Sequence, residues 1–206
     1  MGGRHTKKSQ LERVLQSLEP VRSPKPSSEQ YPTPATIAAE VLHLALGRGD
    51  IAGRSVVDLG CGNGVFAIGA KLAGATRVVG VDSDPGSLEV SRRNANRSNV
   101  EIEWVLSDVD RFRDRFETVL MNPPFGAQTQ HADRPFIDAS MAIGNVVYTF
   151  LNSTSEAFVH RRFETSGGRI TDRLEYRFPI GHLFPFHRDA TRDQLVLLYR
   201  VEVAKG

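Results

Sequence analysis

Cysteine is nearly absent. The chain of 206 residues has one, Cys61. That excludes a disulfide framework and a cysteine-rich zinc site. Long apolar stretches are missing too, since no run approaches the roughly 18 residues of a membrane-spanning helix. The first ten residues are polar, with no apolar segment behind their basic residues, so they do not read as a secretory signal. Lysine is scarce, five against 21 arginines. Net charge is also small: 26 basic residues face 24 acidic ones, a formal charge of +2. Such a surplus does not by itself argue for nucleic acid. Arginine's planar fork suits phosphate, but a general compositional bias would look the same. From these absences we expect a soluble cytoplasmic protein with no membrane attachment and no metal of its own. Hydrophobic residues, at 40%, are slightly few for one compact domain, which implies a loose segment somewhere. The length suits about one domain of ~100–200 residues.

The pattern changes near residue 30. In 1–29, Leu11, Val14, Leu15 and Leu18 recur at helical spacing, and Pro20, Pro24 and Pro26 then break the chain ahead of Ser27 and Ser28. We read an N-terminal extension made of a short helix and an extended connector, followed by one domain over 30–206. That domain opens with a predicted helix over 34–46, with Thr33 as N-cap and Pro34 in the first turn. Strands are predicted at 55–59, 77–81, 101–106, 117–121 and 146–150. Helices are predicted at 65–73, from the Asp84 cap to about 98, at 135–143 and at 154–163. Two alternating runs, 168–178 and 194–203, have no helix between them and read as a closing antiparallel pair. Strand–helix alternation followed by two consecutive strands implies an α/β fold. It would be a Rossmann-like, seven-stranded, doubly wound sheet, mainly parallel, with the last strand antiparallel. Ligands of such sheets bind beyond the carboxyl ends of the strands.

Three polar motifs stand there. Val57-Asp58-Leu59-Gly60-Cys61-Gly62-Asn63-Gly64 follows the first strand. Its glycines permit a tight turn and close backbone approach to a ligand, though the spacing is not that of the dinucleotide fingerprint. Asp58 can accept from the turn's amides or from a cationic group. Asp82, about 20 residues on, stands where a carboxylate grips ribose hydroxyls. Asp108 follows the third strand and can meet an adenine amino group. A glycine turn alone could be a plain strand–helix connection; three polar signals after three successive strands argue for a ligand. Cys61 lies inside the turn with no histidine near it in sequence, a poor setting for a nucleophile.

After the fourth strand comes Asn122-Pro123-Pro124-Phe125. A planar amine is a poor nucleophile because its lone pair is delocalised. Two acceptors, the Asn122 side-chain oxygen and the Pro123 carbonyl, can bind its two hydrogens and favour a tetrahedral nitrogen. The prolines stiffen the loop, and Phe125 offers a stacking face. This chemistry needs alignment rather than a strong base. Read as structure only, Asn-Pro is a turn ending a strand.

The glycine turn with Asp82 and Asp108 resembles the class I S-adenosylmethionine-dependent methyltransferases, which implies S-adenosyl-L-methionine as cofactor. Asn122–Phe125 resembles the motif of enzymes that methylate amino groups of adenine, cytosine or glutamine amides. Phenylalanine in the last position leans towards adenine. Glu29-Gln30-Tyr31-Pro32-Thr33-Pro34 and Ile37-Ala38-Ala39, with 57–64, 121–126 and more weakly 183–188, are similar to the methyltransferase-like protein five family. Its members methylate one adenosine amino group in small-subunit ribosomal RNA. By position, the resemblance implies that Gln30 and Thr33 close over the cofactor and that Gly60, Asn63 and Val65 line it. Asp82 would hold its ribose and Asp108 its adenine. Asn63 is a cysteine in the human member, and the loop over 128–135 differs in detail. The family also implies a small zinc-binding activator protein that adds a strand beside the third strand. The matching edge here runs from Glu101 to Leu106, with Ile102, Trp104 and Leu106 on one face; the zinc would belong to the partner.

Arg161, Arg162, Arg169, Arg173 and Arg177, and separately His182, His187 and Arg188, could present a phosphate-binding surface; solvated faces explain the arginines equally well. The histidines lack metal-ligand spacing. Phe184 and Phe186 suit core packing better than a substrate pocket. The expected activity is therefore an RNA methyltransferase forming N(6)-methyladenosine, with RNA or the ribosomal particle as substrate. The alternatives are a glutamine-amide methyltransferase acting on a translation factor, a DNA adenine methyltransferase, and a non-catalytic binding module.

Overall fold

The computed structural model describes residues 7–21, 32–124, 132–180 and 192–204. Gln30, Tyr31, Phe125, His182, Phe184, Phe186, His187 and Arg188 lie outside them. In chain order the elements are α1 (Lys8–Gln16), α2 (Ala35–Gly47), β1 (Ser55–Leu59), α3 (Val65–Leu72), β2 (Arg77–Asp82), α4 (Pro85–Arg97) and β3 (Glu103–Leu106). Then come β4 (Phe116–Met121), α5 (Arg134–Ile143), β5 (Gly144–Asn152), α6 (Glu156–Thr165), β6 (Gly168–Ile180) and β7 (Arg192–Val203). Every expected strand and helix is present. The first residues of the helix expected from 154 form instead a 3-10 turn, Ser153–Ser155.

One sheet of seven strands runs in the order β3-β2-β1-β4-β5-β7-β6. The first five are parallel. β7 inserts antiparallel between β5 and β6, as the two consecutive alternating runs predict. The inner strands are short apolar runs, such as Ser-Val-Val-Asp-Leu in β1, because helices cover both faces. One face packs α1, α2 and α3 with Leu120, Phe150 and Leu198. The other packs α5 and α6 with Val119, Val147 and Tyr199.

Local chemistry sets the helix starts. Asp84 caps α4 by accepting from the Ser87 amide at 2.9 Å, with Pro85 as the first helical residue. Thr33, expected to cap α2, does not. Pro34 occupies the cap position and the helix begins at Ala35, because the Thr33 hydroxyl is engaged elsewhere. Helix α1 has nine residues and would be marginal alone. Leu11 and Leu15, 2% and 3% exposed, dock it into the α2–α3 face. Each such leucine is worth roughly 1.5–3 kcal/mol of burial.

Candidate active site

β1 ends in a turn built from backbone alone. Gly60, Gly62 and Gly64 have φ of 71°, 55° and 83°, the left-handed region that other residues avoid. A Cβ at Gly60 would lie 2.9 Å from the Phe136 ring, and one at Gly64 would lie 3.0 Å from the Trp104 ring. A Cβ at Gly62 would meet nothing within 4 Å, so the turn offers bare backbone there. The Gly60 and Cys61 amides both donate to the Val81 carbonyl, at 2.8 and 3.0 Å, locking the turn to the end of β2.

Two carboxylates brace this turn. Asp82 accepts from the Gly62 amide and the Asp84 amide, both at 2.9 Å. Asp58 accepts from the Ala67 amide at 3.0 Å. That amide lies in the first turn of α3, not in the glycine turn where the sequence placed Asp58's partners. The reason is that α3 starts at Val65, and Gly64 at its cap position has no side chain to cap it. Neither carboxylate has a cation partner among the described residues. Burial pushes the Asp58 carboxyl up to about 7, with the Ala67 amide pulling it back and the Asp82 charge adding to the rise. Burial also raises Asp82, against the pull of the Asp84 and Gly62 amides. The Cys61 thiol is pushed well above its ordinary range by burial and then by Asp58 and Asp82. It stays protonated at neutral pH and is no nucleophile.

A cavity of about 460 Å³ opens on the turn. Of the expected cofactor residues, Thr33, Asp58, Gly60, Asn63 and Val65 line it, as do Asp82 and Asp108. Asp108 stands at the rim, with its side chain 57% exposed and 3.7 Å from Arg111. From the end of β4, Asn122 and Pro124 line the same cavity; Pro123 is buried and does not. The Asn122 amide nitrogen donates to the Thr33 hydroxyl at 3.0 Å, which joins the α2 entrance to the β4 exit across the cavity. Several lining residues escape the sequence reading, Pro20, Val21 and Phe136 among them. Pro20 and Val21 follow α1, and Phe136 stands in the first turn of α5. Pro20 reads in sequence only as a helix breaker, and no periodicity marks Phe136.

The arginines of α6 and β6 are largely committed. Arg162 forks onto Asp138 at 2.7 and 2.5 Å, Arg169 pairs with Glu202 at 2.5 Å, and Arg173 pairs with Glu156 at 2.6 Å and Glu175 at 3.0 Å. For these three, the exposed pairs fit the solvated-face reading of the arginines. At the far edge, β3 is only four residues long and Leu106 is 58% exposed, whereas Trp104 turns in to pack over Gly80 and Gly64. Among the described residues, no group of three or more His, Cys, Asp or Glu could hold a metal ion, and no helix is long and apolar enough to cross a membrane.

Known proteins share this fold. Residues 36–143 match the methyltransferase small domain family. An uncharacterised protein of Methanocaldococcus jannaschii is 38% identical over 95% of this chain and 94% of its own length. The rRNA N(6)-adenosine-methyltransferase Mettl5 of Drosophila melanogaster is 32% identical over 94% of this chain and 95% of its own length. The crystal structure of PH1948 from Pyrococcus horikoshii, provisionally an RNA methyltransferase, superposes with a TM-score of 0.90 at 36% identity, covering 97% of this chain and 99% of that one. The glycine turn, the carboxylates after β1 and β2, and Asn122-Pro123-Pro124 after β4 thus sit in a fold shared along nearly the whole chain with such proteins, and the chain belongs to the methyltransferase small domain family, in the group that includes the Mettl5 methyltransferases.

Proposed function

We propose that the chain transfers a methyl group from S-adenosylmethionine to the N(6) amino group of an adenosine in small-subunit ribosomal RNA, acting in the cytoplasm. The observation that carries this reading is the shared cavity. Asn122 and Pro124, at the end of β4, line the same space as the glycine turn, Asp82 and Asp108. The names of the Drosophila and Danio rerio relatives, 32% and 30% identical, support the substrate class.

The residues present fit the cofactor. Bare backbone at Gly62 admits a ligand against the turn. Asp82 has one bond on each oxygen and keeps lone pairs for ribose hydroxyls. Asp108 at the rim can accept from an adenine amino group. Asp58 and Asp82, raised by burial without a cation, favour a ligand that carries positive charge. Gln30 would contribute to closing the site as Thr33 does.

S-adenosylmethionine supplies a methyl group on a cationic sulfur; orientation and charge placement come from the chain. The Asn122 side-chain oxygen, in the cavity wall, would accept one hydrogen of the target amine; the Pro123 carbonyl, outside that wall here, would accept the other once a seated substrate turns the loop, and the two would hold the amine lone pair towards the methyl. The Thr33 hydroxyl, accepting from Asn122 Nδ2, orients the Asn122 amide. Pro123 and Pro124 stiffen the loop, and Phe125 would offer a stacking face for the base. Buried Asp58 and Asp82 stabilise positive charge inside the cavity. No residue need remove a proton before transfer, because the methylated nitrogen is cationic and would then lose its proton to water. The small zinc-binding activator would add a strand to the exposed edge of β3, covering Leu106.

The test is transfer of labelled methyl to RNA, DNA and protein fractions from cells lacking the gene, with and without the activator. Label in small-subunit RNA that digests to N(6)-methyladenosine is the expected result. Label in protein would reassign the chain to glutamine-amide methylation, and label in DNA to DNA adenine methylation.

A further inference from the structure

Helix α1 and the residues behind it are tied to the cofactor cavity by one buried side chain. Asn94, on the inner face of α4, is fully buried. Its amide treats Glu19 as a neighbouring strand would: the Glu19 amide donates to Asn94 Oδ1 at 2.8 Å, and Asn94 Nδ2 donates back to the Glu19 carbonyl at 3.0 Å. The same nitrogen donates to the carbonyl of Asn63, inside the glycine turn, at 2.9 Å. Asn63 Nδ2 closes the triangle on the Glu19 carbonyl at 3.3 Å. One turn earlier on α4, Ser91 donates to the Gly62 carbonyl at 2.7 Å. Outside this triangle the Glu19 carboxylate is clamped between Arg93 at 3.2 Å and Arg97 at 2.6 Å. The next two residues, Pro20 and Val21, line the cavity.

We infer that Asn94 is a positioning residue that makes residues 19–21 a strap over the bound cofactor, coupling the docking of α1 to cofactor retention. The inference rests on the proposed cofactor reading. A surface helix needs no buried amide to hold it; Leu11 and Leu15 already dock α1. The amide instead unites the strap and the glycine turn. Proline at position 20 shortens the unfolded repertoire of the strap and donates no hydrogen bond that would need a partner. When the strap loosens, the turn loses a brace and the cavity loses part of its wall together. Each half thereby gains from a ligand that fills the space between them.

The test uses the full chain with its activator. Asn94→Ala, an exchange that suits a helix interior, is expected to weaken S-adenosylmethionine and S-adenosylhomocysteine binding by about 10–100-fold in calorimetry, since it strips three hydrogen bonds from the strap and turn. The KM for cofactor should rise likewise, with kcat at saturating cofactor nearly unchanged. In the wild type, either ligand should slow hydrogen exchange at the Glu19 and Val21 amides and through α1. In Asn94→Ala that protection should fall away. Equal cofactor affinity in a folded Asn94→Ala protein would overturn the inference, as would ligand binding that leaves exchange in α1 and the strap unchanged. If Asn94→Ala does not fold, the exposed double exchange Arg93→Gln/Arg97→Gln decides. It should weaken binding about 2–5-fold and speed exchange at Glu19, and no change in either would refute the strap. A wild type that binds neither ligand would instead refute the cofactor reading itself.

Discussion

Two sets of buried carboxylates stand close to β1, and they are treated in opposite ways. Asp50, before the strand, is neutralised. Arg200 reaches it at 2.9 and 3.3 Å, and the Tyr148 hydroxyl donates to it at 2.7 Å. Arg200 is itself satisfied by Thr171 at 2.7 Å and Glu202 at 2.8 Å. Burial and the bond to Asp50 push the Tyr148 phenol up, so it remains a neutral donor. Asp58, at the end of the same strand, and Asp82 have amides for partners and, among the described residues, no cation. Burying a charge costs dearly unless it is paired. The first set meets that cost within the fold and is architecture. The second leaves it outstanding and awaits a ligand.

The largest expected effect breaks the finished set. Arg200→Met leaves Asp50 buried without its cation and should cost about 3–5 kcal/mol in equilibrium unfolding. Replacing Asp50 and Arg200 together by apolar residues should recover much of that loss. Cofactor affinity of the folded single variant should stay near wild type, because neither residue lines the cavity. A single exchange that left stability intact would erase the contrast.

Next comes the open site. Asn122→Ala should lower kcat for methyl transfer by about 10²–10³, the usual loss for one polarising partner. Cofactor affinity in calorimetry and the melting temperature should both be nearly unchanged. Thr33→Val should lose less, since it removes the group that orients Asn122 and not the acceptor itself. Unchanged transfer in Asn122→Ala would remove its assigned role.

The third prediction sharpens the contrast through pH. Asp58 has a folded pKa of about 7, against an ordinary value near 3.9 in the unfolded chain. Between those values the folded state holds the extra proton, so the ligand-free protein should lose stability as pH rises from about 4 to about 7. Three pKa units bound the change at roughly 4 kcal/mol. Asp58→Asn should flatten that slope in urea titrations at successive pH values. Cofactor binding near pH 7, where Asp58 is about half protonated, should release up to about half a proton, measured by calorimetry in buffers of different ionisation enthalpy. A wild-type slope retained in the Asp58→Asn variant would place the titration elsewhere.

What could be read beforehand follows the same division. The strands were legible because parallel strands covered on both faces are continuous apolar runs, and Asp84-Pro85 announced its helix by local chemistry. The glycine turn, Asp82 and Asn122 were legible because backbone shape and strand ends carry local signatures. Asp50 with Arg200 was not, since the partners are 150 residues apart and neither belongs to a motif. The strap failed to show for a similar reason: Asn94 on a helix looks like any polar residue until Glu19 is folded onto it. The local rule makes Thr33 a cap because it knows nothing of Asn122, 89 residues away.

The smallest expected effect concerns the surface. Arg162 is forked onto Asp138, both sides about half exposed, and such pairs contribute little. Arg162→Gln should leave the melting temperature within about 2 °C. The more telling readout is RNA. An arginine that releases counterions from phosphate steepens the salt dependence of binding by about one unit of slope. Arg162 already has a carboxylate on its fork, so phosphate would have to displace Asp138 to reach it. The slope for Arg162→Gln should therefore match the wild type, with transfer rates within about twofold. A shallower slope would mean that RNA does break the pair. The α6 face would then belong with the open carboxylates, as a surface whose charge is settled only when the substrate arrives.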